Sequence, residues 1–459
     1  MLPWLSSRGA KASPKLAVGP SSPASSSDAV PDTDVLLRAA SPVTAGDVVM
    51  NVPSSLALVA SPSSPPPADL QIDGRIWSAL PWYGKLSLQL HLRASDGSAP
   101  DGWAACLPPQ LDTPFHWTAG QLRGLRYAPL ASAVLDQVRK WREDYQMLRT
   151  VPALSSLTFP AYVRGCELAR SRAFSYPRRP AFSAVPFATT GLLVAACAAF
   201  PGALGVSLDQ AANGAAVVLC AVVAKDFIAP KIAGETEYVI VPGIDYCNHA
   251  GEPAAEVRKE YFSDSYSLGA LRDLRAGDEV SISYGPRSND QLLQFYGFVL
   301  EDNEHDTYSL PPLAEWDLAA LEARLGGAAE LGGGDRLEKL QRAGLLDQAV
   351  LVTRKVGVDP AVRAALRVLV STEEEWGGRA QAVGNFVGEV GGANEGMVDE
   401  MLRAVVGWEI QKIGKEGEEG GEGGGFGKKE EEGGAGKRDL MSLFRGEKRR
   451  VLKEALARL

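Results

Sequence analysis

The sequence predicts an α+β chain, and three observations carry that reading. Residues 35–59 and 237–300 alternate short apolar runs with tight turns such as Gly46-Asp47 and Arg275-Ala276-Gly277-Asp278-Glu279, as strands do. Between them, 75–93 and 131–148 read as helices. From about residue 313 onward the apolar positions recur at helical spacing.

Each element has its own justification. Residues 1–30 are rich in Ser, Ala and Pro with no acid before Asp28, the composition of an organelle transit sequence, but without a clear amphipathic helix. Residues 20–33 read as a mobile loop. Residues 61–68 hold four prolines and read as a linker or loop. Val134, Val138, Trp141, Tyr145 and Leu148 fall on one helical face. The stretch 185–224 is the most apolar, broken by Pro201, Gly202 and Gly205 and then by Asp209, Gln210 and Asn213. Its cleaner run, Ala215 to Ala224, is ten residues long. A membrane-spanning helix needs about 20, so a buried helical hairpin is expected. Tyr238-Val239-Ile240-Val241, Ser267 to Leu271 and Val280 to Tyr284 read as strands. Asp359-Pro360 is a helix start, the Asp as cap and the proline in the first turn; Val362, Leu366 and Leu369 then share a face. Residues 414–436 contain 11 glycines mixed with Glu and Lys. That composition buries too little apolar surface to order itself and reads as a disordered insert, after which Leu443, Phe444, Val451, Leu452, Leu456 and Leu459 resume a helical stripe.

Composition narrows the function. Lys plus Arg is 47 and Asp plus Glu is 56, a formal charge of −9, which argues against nucleic-acid binding along the whole surface. The five cysteines form no CxxC pair and the four histidines no HExxH pair, so neither a disulfide framework nor a metal site is expected. A reducing compartment follows.

Two segments carry most of the chemical information. The first is Val241-Pro242-Gly243-Ile244-Asp245-Tyr246-Cys247-Asn248-His249. The second is Ile282-Ser283-Tyr284-Gly285-Pro286-Arg287-Ser288-Asn289-Asp290-Gln291-Leu292-Leu293, continued by Phe295-Tyr296-Gly297-Phe298-Val299. Together they resemble the SET-domain methyltransferases, in the branch that holds the Rubisco large-subunit lysine methyltransferases and the actin-histidine methyltransferase. There, a proline precedes Asp-x-x-Asn-His. A tyrosine ends a strand about 35 residues later and is followed by Arg/Lys-Ser-Asn, Leu-Leu and Tyr-Gly-Phe. Here Asn248 to Tyr284 is 36 residues. Ser171-Arg172-Ala173-Phe174, Trp4-Leu5 with Gly9-Ala10, Ala45 to Val49 with Val52-Pro53, Ala365 to Leu369 and Phe444 to Lys448 also resemble the branch.

The resemblance implies a SET core of small twisted β-sheets over 1–312, with a helical insert near 75–165, and a helical substrate-binding domain over 313–459. It implies S-adenosyl-L-methionine as cofactor and a protein side chain as methyl acceptor, most simply lysine, with histidine as the alternative. Tyr284 takes the catalytic position. Arg172, Asn248 and His249 take cofactor-binding positions: Arg172 at the carboxylate as a charge-assisted pair, Asn248 as a simultaneous donor and acceptor, His249 through its backbone and ring packing. Asp245, Ser281 and Tyr296 take substrate-side positions. The branch carries a Gly-x-Gly-Leu segment where this chain has Asp34-Val35-Leu36-Leu37, so side chains stand where the backbone approaches the cofactor. A noncatalytic interaction protein on the same fold is therefore the competing reading. A monomer without membrane association is expected. On this resemblance Trp4-Leu5 belongs to the domain, so no separate transit peptide is expected, and the compartment, cytoplasm or chloroplast stroma, stays open.

Overall fold

The computed structural model describes residues 1–20, 35–95, 102–177, 185–200, 205–223, 235–260, 262–327, 331–414 and 434–459. Residues 21–33 of the expected loop and 415–433 of the glycine-rich insert lie outside them. Gly414 and Gly434 to Gly436, at the insert's edges, belong to the helices Gly392–Gly414 and Gly434–Leu456.

The chain forms two compact units: Met1–Leu111 with Arg139–Tyr284, and Asp112–Val138 with Gly285–Leu459. In the first unit, strands β1 (Lys11–Ala12), β2 (Leu16–Pro20), β3 (Val35–Ala39), β4 (Val48–Pro53), β5 (Leu58–Ala60), β6 (Phe174–Pro177), β7 (Thr236–Ile240), β8 (Ala255–Glu260) and β9 (Ser265–Ala270) build small sheets. Their orders are β1-β4-β9-β8, β5-β7-β6 and the β2-β3 hairpin, every pairing antiparallel. Val49, Val52, Val239, Tyr266 and Leu268 from these strands share one buried core. The apolar alternation expected at 35–59 is the inward face of β3, β4 and β5.

The expected strand 280–284 is extended but belongs to no sheet, because its backbone partners change along its length. Val280 N–H donates to Leu37 O (2.9 Å), and Ser281 O accepts from Ala254 and Ala255 (3.0 and 2.9 Å). Ile282 N–H donates to Asn248 O (2.8 Å), and Ile282 O accepts from Ala250 (3.0 Å). A five-residue stretch is thus stitched to three separated parts of the chain, and Tyr284 stands at its end.

The helices of the chain begin with α1 (Leu2–Ser7), which buries Leu5. They continue with α2 (Gly74–Ala79), α3 (Trp82–Ser95), α4 (Ala119–Gly124), α5 (Ala128–Leu148) and α6 (Phe159–Arg172); α4 and the first half of α5 fall in the second unit. In α5 the expected face buries Val134, Trp141 and Leu148. Helices α3 and α6 approach closely at Gly165, where a Cβ would lie 3.0 Å from Ser87 Cα. Ser87 Oγ there donates to Tyr162 O at 2.9 Å. The proline-rich loop after β5 is tied down by buried Lys85, whose Nζ donates to Ser61 O and Pro62 O (3.1 and 2.9 Å). Burial lowers the pKa of this ammonium.

Helices α7 (Val185–Ala199) and α8 (Leu208–Val223) form the expected hairpin, but it is not buried. Only Cys197 and Ala211 are covered, while Leu192 is 73% and Val217 68% exposed. The two helices pack on each other, and their remaining apolar surface is left open. Among the described residues no helix is long and apolar enough to cross a membrane.

The second unit carries the sheet β10 (Thr307–Leu310), β11 (Val350–Thr353), β12 (Gly357–Val358), again antiparallel, and a helical remainder. Helix Pro360–Val370 starts where expected: Asp359 Oδ1 accepts from Ala361 N at 2.8 Å. Leu366 and Leu369 are fully covered. Arg367 on the same helix forms a bidentate pair with Glu395 (2.6 and 3.0 Å). The resumed stripe of Gly434–Leu456 buries Phe444, Val451 and Leu452. Its Lys448 is buried against Asp290 and Asp306, the latter at 2.8 Å.

Candidate active site

The first candidate segment leaves β7 through a turn that only glycine fits. Gly243 has φ +92°, and a Cβ there would lie 2.6 Å from Leu5 Cδ1 and 3.2 Å from the Met50 sulfur. The turn feeds a single 3-10 turn, Ile244–Tyr246. Its sharp curl brings the Asp245 carboxylate back onto Gly243 N–H at 2.8 Å.

Asp245 is the most constrained polar group in the region. Its side chain is fully covered. It accepts from Trp103 Nε1 (3.0 Å to each oxygen) and from Arg172 Nη1 (3.3 Å). Arg172 Nη1 also donates to Asp245 O at 2.8 Å. Burial pushes the Asp245 carboxyl above its ordinary pKa, while Arg172, Trp103 and the Gly243 amide pull the other way. Asp245 thus faces inward and positions Arg172, which extends from the last turn of α6. The Arg172 guanidinium also lies over the Tyr246 ring, 5.4 Å from its centroid. Its Nε is buried and has no hydrogen-bond partner, as is the Tyr246 hydroxyl.

Beyond the 3-10 turn, residues 247–250 run parallel beside 281–284, with His249 bridging Ile282. The structure brings His249 and Tyr284 together: His249 Nδ1 accepts from Tyr284 N–H at 3.1 Å. The two rings stack with centroids 5.2 Å apart. That bond makes Nδ1 the acceptor, leaving the proton of a neutral ring on Nε2. Tyr284 Oη donates to Cys247 O at 3.0 Å. Asn248, between them, is exposed, and its side-chain amide makes no hydrogen bond among the described residues. Ser281 is buried, its hydroxyl accepting from Ala254 N at 3.3 Å.

Six of the seven residues singled out in the sequence therefore stand within one unit, as two groups. Arg172 and Asp245 form a buried pair. Asn248, His249, Ser281 and Tyr284 lie along two adjacent extended stretches. Tyr296 ends the helix Asn289–Tyr296 in the other unit. Trp103 was not singled out: it sits in a short 3-10 turn, 142 residues before the carboxylate it serves, and no local pattern announces that contact. At the departure from Gly-x-Gly-Leu, Leu36 is 3% exposed and paired with Gly19 in the β2-β3 hairpin. Its side chain is accommodated inside the unit. Asp34 lies outside the described residues.

The sheets, the Asp245–His249 turn and its partner 280–284 form the architecture of a SET domain. The chain matches the SET domain family over residues 35–285 and belongs to it. Over 358 residues it is 25% identical to an actin-histidine N-methyltransferase from Canis lupus familiaris, covering 74% of this chain and 49% of that one. A mouse protein of the same name, from Mus musculus, is 24% identical over 356 residues, covering 74% and 48%. The chain thus spans about half the length of the curated relatives it matches. Among solved structures, the SET domain of LSMT bound to lysine and AdoHcy superposes with a TM-score of 0.60 at 15% identity, covering 99% of this chain and 89% of that one. Rubisco LSMT bound to AdoMet gives 0.60 at 16%, with the same coverage. These last two likenesses concern the fold.

Proposed function

We propose that this chain is a protein methyltransferase that uses S-adenosyl-L-methionine, with lysine as its first acceptor. The single observation that carries the reading is the pairing of the Asp245–His249 turn with the stretch ending at Tyr284. It sets an exposed residue, Asn248, next in the chain to the Cys247 carbonyl that holds the Tyr284 hydroxyl. The residues present fit the cofactor. Arg172 keeps a buried Nε without a partner, a donor suited to a carboxylate, and Asn248 keeps a free amide that both donates and accepts.

When bound, S-adenosylmethionine supplies an electrophilic methyl on a sulfonium. The chain's own residues supply alignment, which is worth roughly 7–11 kcal/mol when complete. In this reading Arg172 and Asn248 hold the polar groups, with Asp245 and Trp103 fixing Arg172. His249 keeps Tyr284 in place through its stacked ring and the bond to the Tyr284 amide. The Tyr284 hydroxyl, with the Cys247 carbonyl beside it, orients the incoming nucleophile. Ser281 stands as a substrate-side position. A lysine acceptor has a pKa of about 10.4 in water and must reach the site deprotonated.

A histidine acceptor is the second reading, favoured by the name of the curated relatives. Its imidazole, with a pKa of about 6.5, is already neutral at physiological pH. The two differ in pH profile. With a lysine acceptor kcat/KM rises tenfold per pH unit well above neutrality, whereas with histidine it levels off above about pH 7.

The test begins with calorimetry of S-adenosylmethionine against the full chain and the Asn248→Ala variant. Wild type should bind, and the variant should bind more weakly by about 1–3 kcal/mol, the cost of an unpaired desolvated group. No binding by folded wild type replaces the enzyme with the noncatalytic interaction protein. Equal binding by both removes Asn248 from the site. Mass spectrometry of proteins labelled from the cofactor's methyl group then reads the acceptor side chain.

A further inference from the structure

One polar group beside the Arg172–Asp245 pair has no part in the chemistry described so far. Tyr246 closes the 3-10 turn Ile244–Tyr246 and is 2% exposed. Its hydroxyl is buried and makes no hydrogen bond. A phenol taken out of water without a partner is costly, so such a group points to something that arrives to bond it. The adjoining Asp245 carboxylate does not serve it. Gly243 N–H, Trp103 Nε1 and Arg172 Nη1 already share those two oxygens. Nor does Arg172: its guanidinium lies over the Tyr246 ring, 5.4 Å from the centroid, and its Nε is itself buried and unpartnered. Burial raises the pKa of the phenol, Asp245 adds to that and Arg172 opposes it. The hydroxyl therefore stands within reach of both charges and keeps its proton at physiological pH.

We propose that Tyr246 is a further cofactor-binding residue: its hydroxyl donates, together with Arg172 Nε, to the carboxylate at the amino-acid end of S-adenosylmethionine. The inference rests on the methyltransferase reading and adds to it a residue that the sequence motif leaves unspecified. Its ground is a matter of donors and acceptors. Arg172 Nε can only donate, and the hydroxyl has a proton to give. Two buried donors side by side call for one group that accepts from both, and a carboxylate does so with two oxygens. A lysine ammonium carries donors only and would leave both groups unsatisfied, so the methyl acceptor does not suit this place. Arg164, about two turns earlier on α6, strengthens the preference for an anion. It lies close enough to Arg172 for the two charges to oppose each other. Its own hydrogen bonds go only to the backbone carbonyls of Pro108 and Leu107, at 3.0 and 3.2 Å. An arriving carboxylate is drawn by both guanidinium groups.

Two measurements on the full chain and its Tyr246→Phe variant test this. The first is thermal melting without ligand. The substitution keeps the ring and removes a hydroxyl that has no partner, so the variant should melt no lower than wild type. A variant that melts several degrees lower, or fails to fold, overturns the proposal, because the hydroxyl is then already bonded inside the protein. The second is calorimetry with S-adenosylmethionine and with 5′-methylthioadenosine, which keeps the adenosine and the sulfur but has no carboxylate. The variant should bind S-adenosylmethionine at least about tenfold more weakly than wild type, the loss expected of a hydrogen bond to a charged group. It should bind methylthioadenosine as wild type does. A folded variant that binds S-adenosylmethionine like wild type overturns the assignment of Tyr246 and leaves the methyltransferase reading standing. So does an equal loss for both ligands, since the hydroxyl would then serve some other part of the cofactor. A folded wild type that binds no S-adenosylmethionine removes the assignment and the methyltransferase reading together.

Discussion

Tyr284 shows how much one side chain depends on its neighbours. Its ring is stacked on His249, its amide is bonded to the same imidazole, and its hydroxyl rests on Cys247 O. Tyr284→Phe keeps the ring and the amide bond and removes only the hydroxyl, so stability should fall by no more than about 1–1.5 kcal/mol. Affinity for S-adenosylmethionine, read by calorimetry, should be unchanged. Turnover should fall at least tenfold, about 1.4 kcal/mol in the barrier. Wild-type turnover on the true substrate would take the hydroxyl out of the chemistry. The residue type and the distance from Asn248 to Tyr284 were legible in the sequence. The stacking was not, because nothing in either segment states that 247–250 and 281–284 lie side by side.

At the scale of elements, the turn after β7 and the ion pair on helix Pro360–Val370 are the two most exposed to test. Gly243→Ala places a methyl against Leu5 and Met50 at a φ that L-residues avoid. The two costs together come to about 2–4 kcal/mol, and the melting curve should show it. An unchanged melting temperature would mean that α1 yields without penalty. The Arg367–Glu395 pair acts through pH. Its hydrogen bonds to Arg367 hold the Glu395 carboxyl below its ordinary value of 4.5. A lowered carboxylate pKa contributes stability that is present above the unfolded value and lost as pH falls through the folded one. Glu395→Gln should therefore cost about 1–3 kcal/mol at pH 7, and the difference from wild type should shrink as pH drops below about 4.5. A difference that stays constant down to pH 3 would show that packing, not charge, is what the substitution disturbs.

For the molecule as a whole, the division into units crosses the order of the chain. Residues 112–138 pack with the C-terminal part, where Trp117, Leu122, Leu125, Tyr127, Leu130 and Val134 join its core. A chain shortened to residues 1–284 strips those side chains of their cover. Each buried apolar side chain of that size is worth about 1.5–3 kcal/mol, and a bare patch of six drives association. The shortened chain should aggregate or bind a hydrophobic dye more strongly than the full chain does. A monodisperse 1–284 fragment without dye binding would show that 112–138 finds cover elsewhere.

What the sequence alone determined is whatever local chemistry controls. Asp359-Pro360 started a helix because capping is a matter of two adjacent residues. The stripe at Leu443, Phe444, Val451 and Leu452 formed because its period matches a helix. The two motif segments marked the site because their spacing is itself the signal. Three other features were decided only by tertiary structure. Stretch 280–284 has strand composition but no single neighbour long enough to pair with, so it is extended without being part of a sheet. The apolar run 185–224 has the composition of a core, yet α7 and α8 cover only each other's inner seam. Asp245 reads as a group open to substrate until Trp103 and Arg172, distant along the chain, close over it. Burial and partnership are properties of where remote segments meet, and a carboxylate's environment cannot be read from its neighbours in sequence.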